Sequence, residues 1–205
     1  MRAWWPVVLA CMGCQHDVKS PFPPGLEPLE DNPVPEQSAP YTETLATAVG
    51  SGSEVQIYAR GYVLADPATV WAATQTPQAV VATCTTDAQS FTIDDEPQYE
   101  FSFIVSYTVN EVLTVQWDDQ WRYGTIDADP FFGMIKHQKI DGSSFITTSE
   151  GTIQVTDAGA GATEVAIVEH LQAVAGSSDD VLKSTNHVFA SIVAVAHDAS
   201  IPPCP

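Results

Sequence analysis

The chain has 205 residues, of which 44% are hydrophobic, so it is long enough to form one folded domain with additional segments. Seven Lys and Arg residues stand against 26 Asp and Glu residues, which gives a formal net charge of −19. This excess of acid excludes nucleic-acid binding and electrostatic docking on anionic lipid, because both require clustered cations.

Residues 1–14 resemble a short export signal. Arg2 supplies the positive charge before an apolar run that is too short to span a bilayer. Residues 8–11 are similar to a bacterial lipobox, in which the cysteine is lipidated; Cys11 fits this pattern, and Cys14 fits it less well. The alternative is an uncleaved apolar N-terminus. The first interpretation predicts lipidation at Cys11 and a cell-envelope location, either lipid-anchored (outer membrane or periplasmic face) or secreted.

Residues 15–53 are predicted to form an acidic, disordered tether. Residues 20–40 hold seven of the fifteen prolines and show no hydrophobic period. Residues 41–49 form either a short helix or more of the tether, and the Gly-Ser run at residues 50–53 is a flexible joint.

The predicted folded domain covers residues 54–200 and is followed by a tail, residues 201–205. It begins with an alternating strand at residues 54–64. Two short helices follow at residues 68–74 and 78–84, and each of them comes after a proline that suits a first helical turn. Further strands are predicted at residues 90–93, 99–110, 111–117, 121–126, 132–140, 145–156 and 163–174, with turns at Asp118-Asp119 and Asp141-Gly142.

Residues 178–197 are predicted to form one long helix with a broad apolar stripe that includes Val188, Phe189 and Ile192. Such a stripe must be buried, and the strands upstream are its natural partner. The sequence therefore predicts an α+β fold, in which a curved antiparallel sheet wraps around a long C-terminal helix and two short helices follow the first strand.

Three short motifs carry a resemblance to a known superfamily. Residues 65–71, Ala-Asp-Pro-Ala-Thr-Val-Trp, are similar to the start of the first helix in START-like proteins, with Asp66 as an extra residue before the proline. Residues 76–78 and 162–165 resemble the start of the second helix and the last hairpin of the same superfamily. This superfamily is also called helix-grip, SRPBCC or Bet v 1-like, and it includes a polyketide cyclase/dehydrase group.

The resemblance implies a cavity between sheet and C-terminal helix for lipids, sterols, polyketides or other apolar molecules. The expected function is non-catalytic binding of an apolar small molecule, without metal or cofactor. The predicted lining consists of Trp71, Phe101, Phe103, Tyr107, Trp117, Phe145, Val188, Phe189 and Ile192. The alternatives are an interaction module with a closed core and a cyclase-type enzyme that uses Glu169, His170 or Arg122.

The remaining polar residues leave alternatives open. Cys84 and Cys204 either form a disulfide in an oxidising compartment or stay unpaired. Strand alternation places one of Glu169 and His170 inward, where a polar group orients a ligand or exchanges protons. The other histidines and the acidic runs, Asp118-Asp119 among them, are interpreted as satisfied side chains and solvated turns.

Overall fold

The structure of the chain, a computed structural model, describes residue 20 and residues 22–81, 84–110 and 113–205. The strands are β1 (Leu45–Val49), β2 (Val55–Val63), β3 (Ala88–Ile93), β4 (Phe101–Asn110), β5 (Thr114–Ala128), β6 (Phe131–Gly142), β7 (Ile146–Gly159) and β8 (Ala162–Ala173). The helices are α1 (Pro67–Thr74), α2 (Pro77–Val80) and α3 (Ser178–Ala196). None of the helices in these residues has the length and apolar character that a membrane span requires.

All strands belong to one antiparallel sheet with the order β1-β2-β8-β7-β6-β5-β4-β3. The sheet is curved, and α3 lies along its concave side against β2, α1 and α2. The predicted α+β class and the helix-grip arrangement are therefore confirmed.

The long helix forms where its apolar stripe predicts it. Ser177 Oγ accepts a hydrogen bond from the Asp180 amide at 3.2 Å, which satisfies one of the free N–H groups of the first turn. Phe189 and Ile192 are buried in the main core. Gly61 of β2 makes the close approach of helix and sheet possible, because a Cβ there would overlap the Phe189 ring.

The two short helices differ in length although both begin with proline. Asp66 caps α1 by accepting a hydrogen bond from the Thr69 amide at 3.0 Å. Thr76 makes no such bond to α2, which has four residues and ends where Val81 turns to extended backbone. The predicted helix at residues 78–84 is therefore shorter than expected, since the chain leaves the helical conformation at Val81.

Residues 22–49, called the N-terminal segment below, belong to the folded domain: the last five form β1 of the sheet, and Val34 packs with Tyr58 and Val168 in a cluster separate from the main core. Leu26 and Val34 are buried, and β1 pairs with β2. The side-chain amide of Asn32 donates to the carbonyl oxygens of Ala59 at 2.8 Å and Ile167 at 3.2 Å. The predicted disordered tether over residues 15–53 is therefore wrong for this segment, and the folded domain begins well before residue 54.

Strand β5 runs without interruption through the predicted turn at Asp118-Asp119. The two strands predicted on either side are one strand, with a register shift against β6 between these two aspartates. The turn prediction is wrong because Asp119 is buried, at 2% exposure, and its carboxylate has partners inside the sheet.

Candidate ligand-binding site

A cavity of about 670 Å³ lies between the N-terminal half of α3 and the concave face of β4 to β8. This volume falls within the range of small-molecule pockets. Its walls are mainly apolar and include Val109, Val115, Ile146, Leu171, Val181 and Val188.

The cavity opens where three large apolar side chains reach solvent. Leu113 directly precedes β5, Phe145 directly precedes β7, and Val174 directly follows β8. Their exposed fractions are 59%, 42% and 78%. These residues, called the mouth below, give the cavity an apolar entrance.

The buried end of the cavity holds three ionisable side chains, Asp119, His137 and Glu169, called the floor below. His137 Nε2 and Glu169 Oε2 are 2.9 Å apart, a hydrogen-bonded ion pair. His137 Nδ1 lies 3.7 Å from Asp119 Oδ2, which is an ionic contact longer than a hydrogen bond. Ser149 Oγ donates to the same Asp119 oxygen at 2.8 Å.

The sheet register brings the floor together. Trp117, Asp119 and Trp121 alternate along β5 toward the cavity, and Trp121 pairs with His137 of β6. The two rings stack with centroids 4.4 Å apart.

Gly151 of β7 lies between His137 and Glu169 in the register. A Cβ at this position would overlap both the His137 ring and the Glu169 carboxylate. Because Gly151 has no side chain, His137 and Glu169 can approach each other and form their ion pair.

The electrostatics of the floor favour a charged imidazole. Burial of His137 opposes its protonated form, but the negative charges of Glu169 and Asp119 and the hydrogen bond to Glu169 outweigh burial and raise its pKa to about 10. Tyr107 also lines the cavity, and burial, reinforced by the charges of Asp119 and Glu169, raises the pKa of its hydroxyl well above the usual range. At neutral pH the floor therefore holds an imidazolium, and Tyr107 keeps its proton.

Four of the nine predicted lining residues line the cavity: Tyr107, Trp117, Phe145 and Val188. The prediction is corrected for the other five, which are outside the lining and belong to the core or pack against it: Trp71, Phe101, Phe103, Phe189 and Ile192. Around these five residues the sheet, α1 and α3 form the main core, so their side chains contact protein rather than open space.

Glu169 is the inward member of the Glu169–His170 pair, and its carboxylate belongs to the floor. His170 borders the cavity, but its Nε2 is bonded to Glu30 Oε1 of the N-terminal segment at 2.9 Å. Arg122 is outside the lining: its Nε donates to Glu96 Oε1 at 3.0 Å, and its guanidinium lies 5.4 Å from the centroid of the Tyr99 ring. Arg122 is therefore withdrawn as a candidate, because it does not line the cavity and is already paired with an acid.

Cys84 and Cys204 are joined by a disulfide with an S–S distance of 2.05 Å. His187 is near both sulfur atoms, at a spacing that could suit a metal ion. Sulfur atoms that are bonded to each other do not provide thiolate ligands, so this cluster is not a metal centre. Cys11 and Cys14, the candidates for lipidation, lie outside the described residues.

Two floor residues are not identifiable as functional by sequence reasoning alone. The local pattern around Asp119 indicates a turn, and His137 has the pattern of an ordinary satisfied histidine. The available signal is the alternation in β5, which places an acid between two inward tryptophans. His137 has no comparable signal, because its partners come from other strands.

None of the protein-family models matches the chain, and no curated protein matches its sequence. Solved structures are nevertheless similar. The lipid transfer and protein localization domain of human StarD13 (DLC2) has a TM-score of 0.52 and 13% identity, over 80% of this chain and 87% of that one. Human STARD10 has a TM-score of 0.50 and 6% identity, over 75% of this chain and 73% of that one. At these identities the similarity establishes the fold alone, and the chain has the helix-grip fold of START-like proteins.

Proposed function

We propose that this protein binds a hydrophobic small molecule, without catalysis, in the cavity between the sheet and α3. The observation that carries the proposal is the open, apolar-walled cavity of about 670 Å³. An interaction module with a closed core has no use for such a space. Burial of apolar ligand surface against these walls would stabilise the complex by about 25 cal/mol per Å².

The mouth supports the same proposal. Leu113, Phe145 and Val174 expose apolar surface around the cavity and line its interior as well. An apolar ligand can therefore lose its contact with water and gain contact with these side chains at the entrance of the cavity. The likeness to the StarD13 domain, whose name describes lipid transfer, agrees with a ligand of this class.

The floor favours binding over acid–base catalysis. A catalytic acid or base works best with a pKa near the operating pH. The pKa of His137 is raised to about 10, so at neutral pH its proton stays on the ring. Glu169 is held in the ion pair with this ring. The floor therefore acts as a fixed polar end of the cavity.

We also propose a cell-envelope location with a lipid anchor at Cys11. The disulfide between Cys84 and Cys204 supports an oxidising compartment, where such bonds persist. Mass analysis of the protein from membranes tests the anchor. A diacylglyceryl adduct on Cys11 is the expected result, and an unmodified N-terminal peptide from the same membranes would contradict it.

Native mass spectrometry of the gently purified protein tests the binding function. We expect a non-covalent adduct that denaturation releases as an apolar small molecule. In parallel, Nile red should bind the emptied protein with a rise in fluorescence, because its surroundings become apolar.

A pair of neighbouring variants on α3 links this binding to the cavity. Ser184 lines the cavity and Lys183 is exposed outside it. We expect Ser184→Trp to abolish Nile red binding by filling the space, and Lys183→Trp to leave it unchanged. A protein that carries no adduct and binds no Nile red would refute the proposed function.

A further inference from the structure

Asp119 has a buried carboxylate oxygen without a hydrogen-bond partner. The side chain lines the cavity, and the residue is 2% exposed. Its Oδ2 accepts from Ser149 Oγ and contacts His137, whereas Oδ1 has no partner among the described residues. A buried acceptor without a donor costs free energy of folding. A ligand N–H or O–H that donates to Oδ1 would remove this cost.

The charge of the cavity is negative. Two carboxylates, Asp119 and Glu169, face one imidazolium in the floor, and Asp180 adds a third acid to the wall. The described lining contains no Lys or Arg. His170 at the border is paired with Glu30. A fatty acid or a phosphate would meet uncompensated repulsion in this cavity, whereas a cation would be attracted.

Aromatic rings line the same cavity as Asp119. Tyr107 and Trp117 stack in the cavity wall with ring centroids 4.8 Å apart. Trp117 precedes Asp119 by two positions on the same face of β5, so an ammonium group at Asp119 would also be close to an electron-rich ring. The buried indole N–H of Trp117 has no partner in the part of the chain that the structure describes. An oxygen atom beside the amine would accept from it.

We infer that the ligand is an apolar molecule with a protonated amine, which donates to Asp119 Oδ1 while the apolar part fills the space between α3 and the mouth. This inference rests on the proposed function, because it names the class of molecule that the cavity holds. It separates amine-bearing lipids and other lipophilic amines from fatty acids and phospholipid anions.

Calorimetric titration of the purified protein with dodecylamine, dodecanol and dodecanoate at neutral pH tests the inference. The three probes share a chain length and differ only in the head group. We expect the amine to bind about tenfold more tightly than the alcohol and the carboxylate to bind most weakly, as one charge-assisted hydrogen bond in a partly buried site implies.

Variants of floor residues test whether the floor causes the tighter binding of the amine. Asp119→Asn removes one charge and preserves shape, so it should weaken amine binding about tenfold and alcohol binding by less, because the alcohol carries no charge. Asp141→Asn makes the same change of net charge at an exposed residue outside the lining and should change neither affinity. If Asp119→Asn does not fold, Asp119→Ser removes the same carboxylate with a smaller side chain and is measured in its place.

The outcomes separate the two proposals. Alcohol or carboxylate binding as tight as amine binding would overturn the head-group inference and leave cavity binding intact. Equal amine affinity in the folded floor variant and in the unmodified protein would also overturn it. If none of the three probes binds and Nile red does not bind either, the proposed function itself fails.

Discussion

His137 lies in the floor of the cavity with one carboxylate near each ring nitrogen. Asp119 of β5 is near Nδ1 and Glu169 of β8 is near Nε2. Burial works against protonation of this ring, and the two carboxylates overcome it. The pKa of the folded state is raised from 6.5 to about 10. The imidazole is therefore bound to its proton more tightly in the folded chain than in the unfolded chain.

This difference predicts a pH dependence of stability. Because the folded pKa is the higher one, the contribution of His137 to the free energy of unfolding should be complete below pH 6.5 and lost as pH rises toward about 10. Chemical denaturation of the unmodified protein and of His137→Gln over this range measures it. We expect the difference between the two to shrink as pH rises, and a constant or growing difference would contradict the protonated assignment.

Gly151 controls the same ion pair through its lack of a side chain. Gly151→Ala should force His137 and Glu169 apart and destabilise the fold by about 1–3 kcal/mol, as overpacking of a buried site does. Nitrogen NMR of the imidazole should show a lower pKa for His137 in this variant. Gly161→Ala is the comparison: a Cβ at Gly161 would touch no neighbour, so any stability loss there comes from the backbone alone, whose φ is 74°.

A stability loss without a change in the His137 pKa would mean that the ring and the carboxylate move together. Gly151 would then not control the ion pair. At the residue scale the sequence predicts only that one of Glu169 and His170 points inward, because strand alternation is a local pattern and the contact with His137 is not.

The N-terminal segment shows how an element without period can still belong to a fold. It packs through single contacts: Asn32 bridges the carbonyl oxygens of β2 and β8, and the Val34 carbonyl accepts from Arg60 Nε at 2.8 Å. Proline-rich, polar sequence normally indicates a linker, and nothing in its spacing reveals such hydrogen bonds. The prediction of a tether therefore follows from the local pattern, and the tertiary contacts override it.

Asn32→Ala tests whether the segment contributes to stability. The variant removes two hydrogen bonds to strand carbonyls, so the free energy of unfolding should fall by about 1–3 kcal/mol. Amide hydrogen exchange should become faster throughout residues 22–49, which include β1. Glu36→Ala removes only an exposed ion pair with Arg60, at 3.8 Å, and should leave both measurements nearly unchanged. Unchanged stability for both variants would show that the segment adds little to the fold.

Helix α3 uses its predicted stripe for two purposes along its length. Val181, Thr185 and Val188 line the cavity in its N-terminal half. Phe189 and Ile192 pack in the closed core of the C-terminal half. The hydrophobic period predicts which face of the helix is covered, but it does not distinguish contact with protein from contact with a cavity.

The disulfide covalently links the segment after α3 to one wall of the cavity. Cys84 lines the cavity, and its partner Cys204 is 120 residues away in sequence. A cross-link across a loop of this length limits the unfolded chain and adds roughly 4–5 kcal/mol in the chain-entropy model.

Reduction should lower the thermal midpoint and the free energy of unfolding by an amount of that order. Measurement with and without reductant, against a variant with both cysteines changed to serine, checks this expectation. The double variant should be insensitive to reductant and as unstable as the reduced protein. If reduction leaves stability unchanged, the bond does not constrain the unfolded state as proposed.

The sequence by itself determined the positions of α1 and α3, the strands after residue 54 apart from the continuity of β5, and the α+β class. These features depend on period, capping and turn residues, which are local properties of the chain. Tertiary structure alone decided that Asp119, His137 and Glu169 meet over Gly151, that five predicted lining residues pack in the core, and that the N-terminal segment covers the sheet. Each of these depends on the register between strands distant in sequence, which no local pattern encodes.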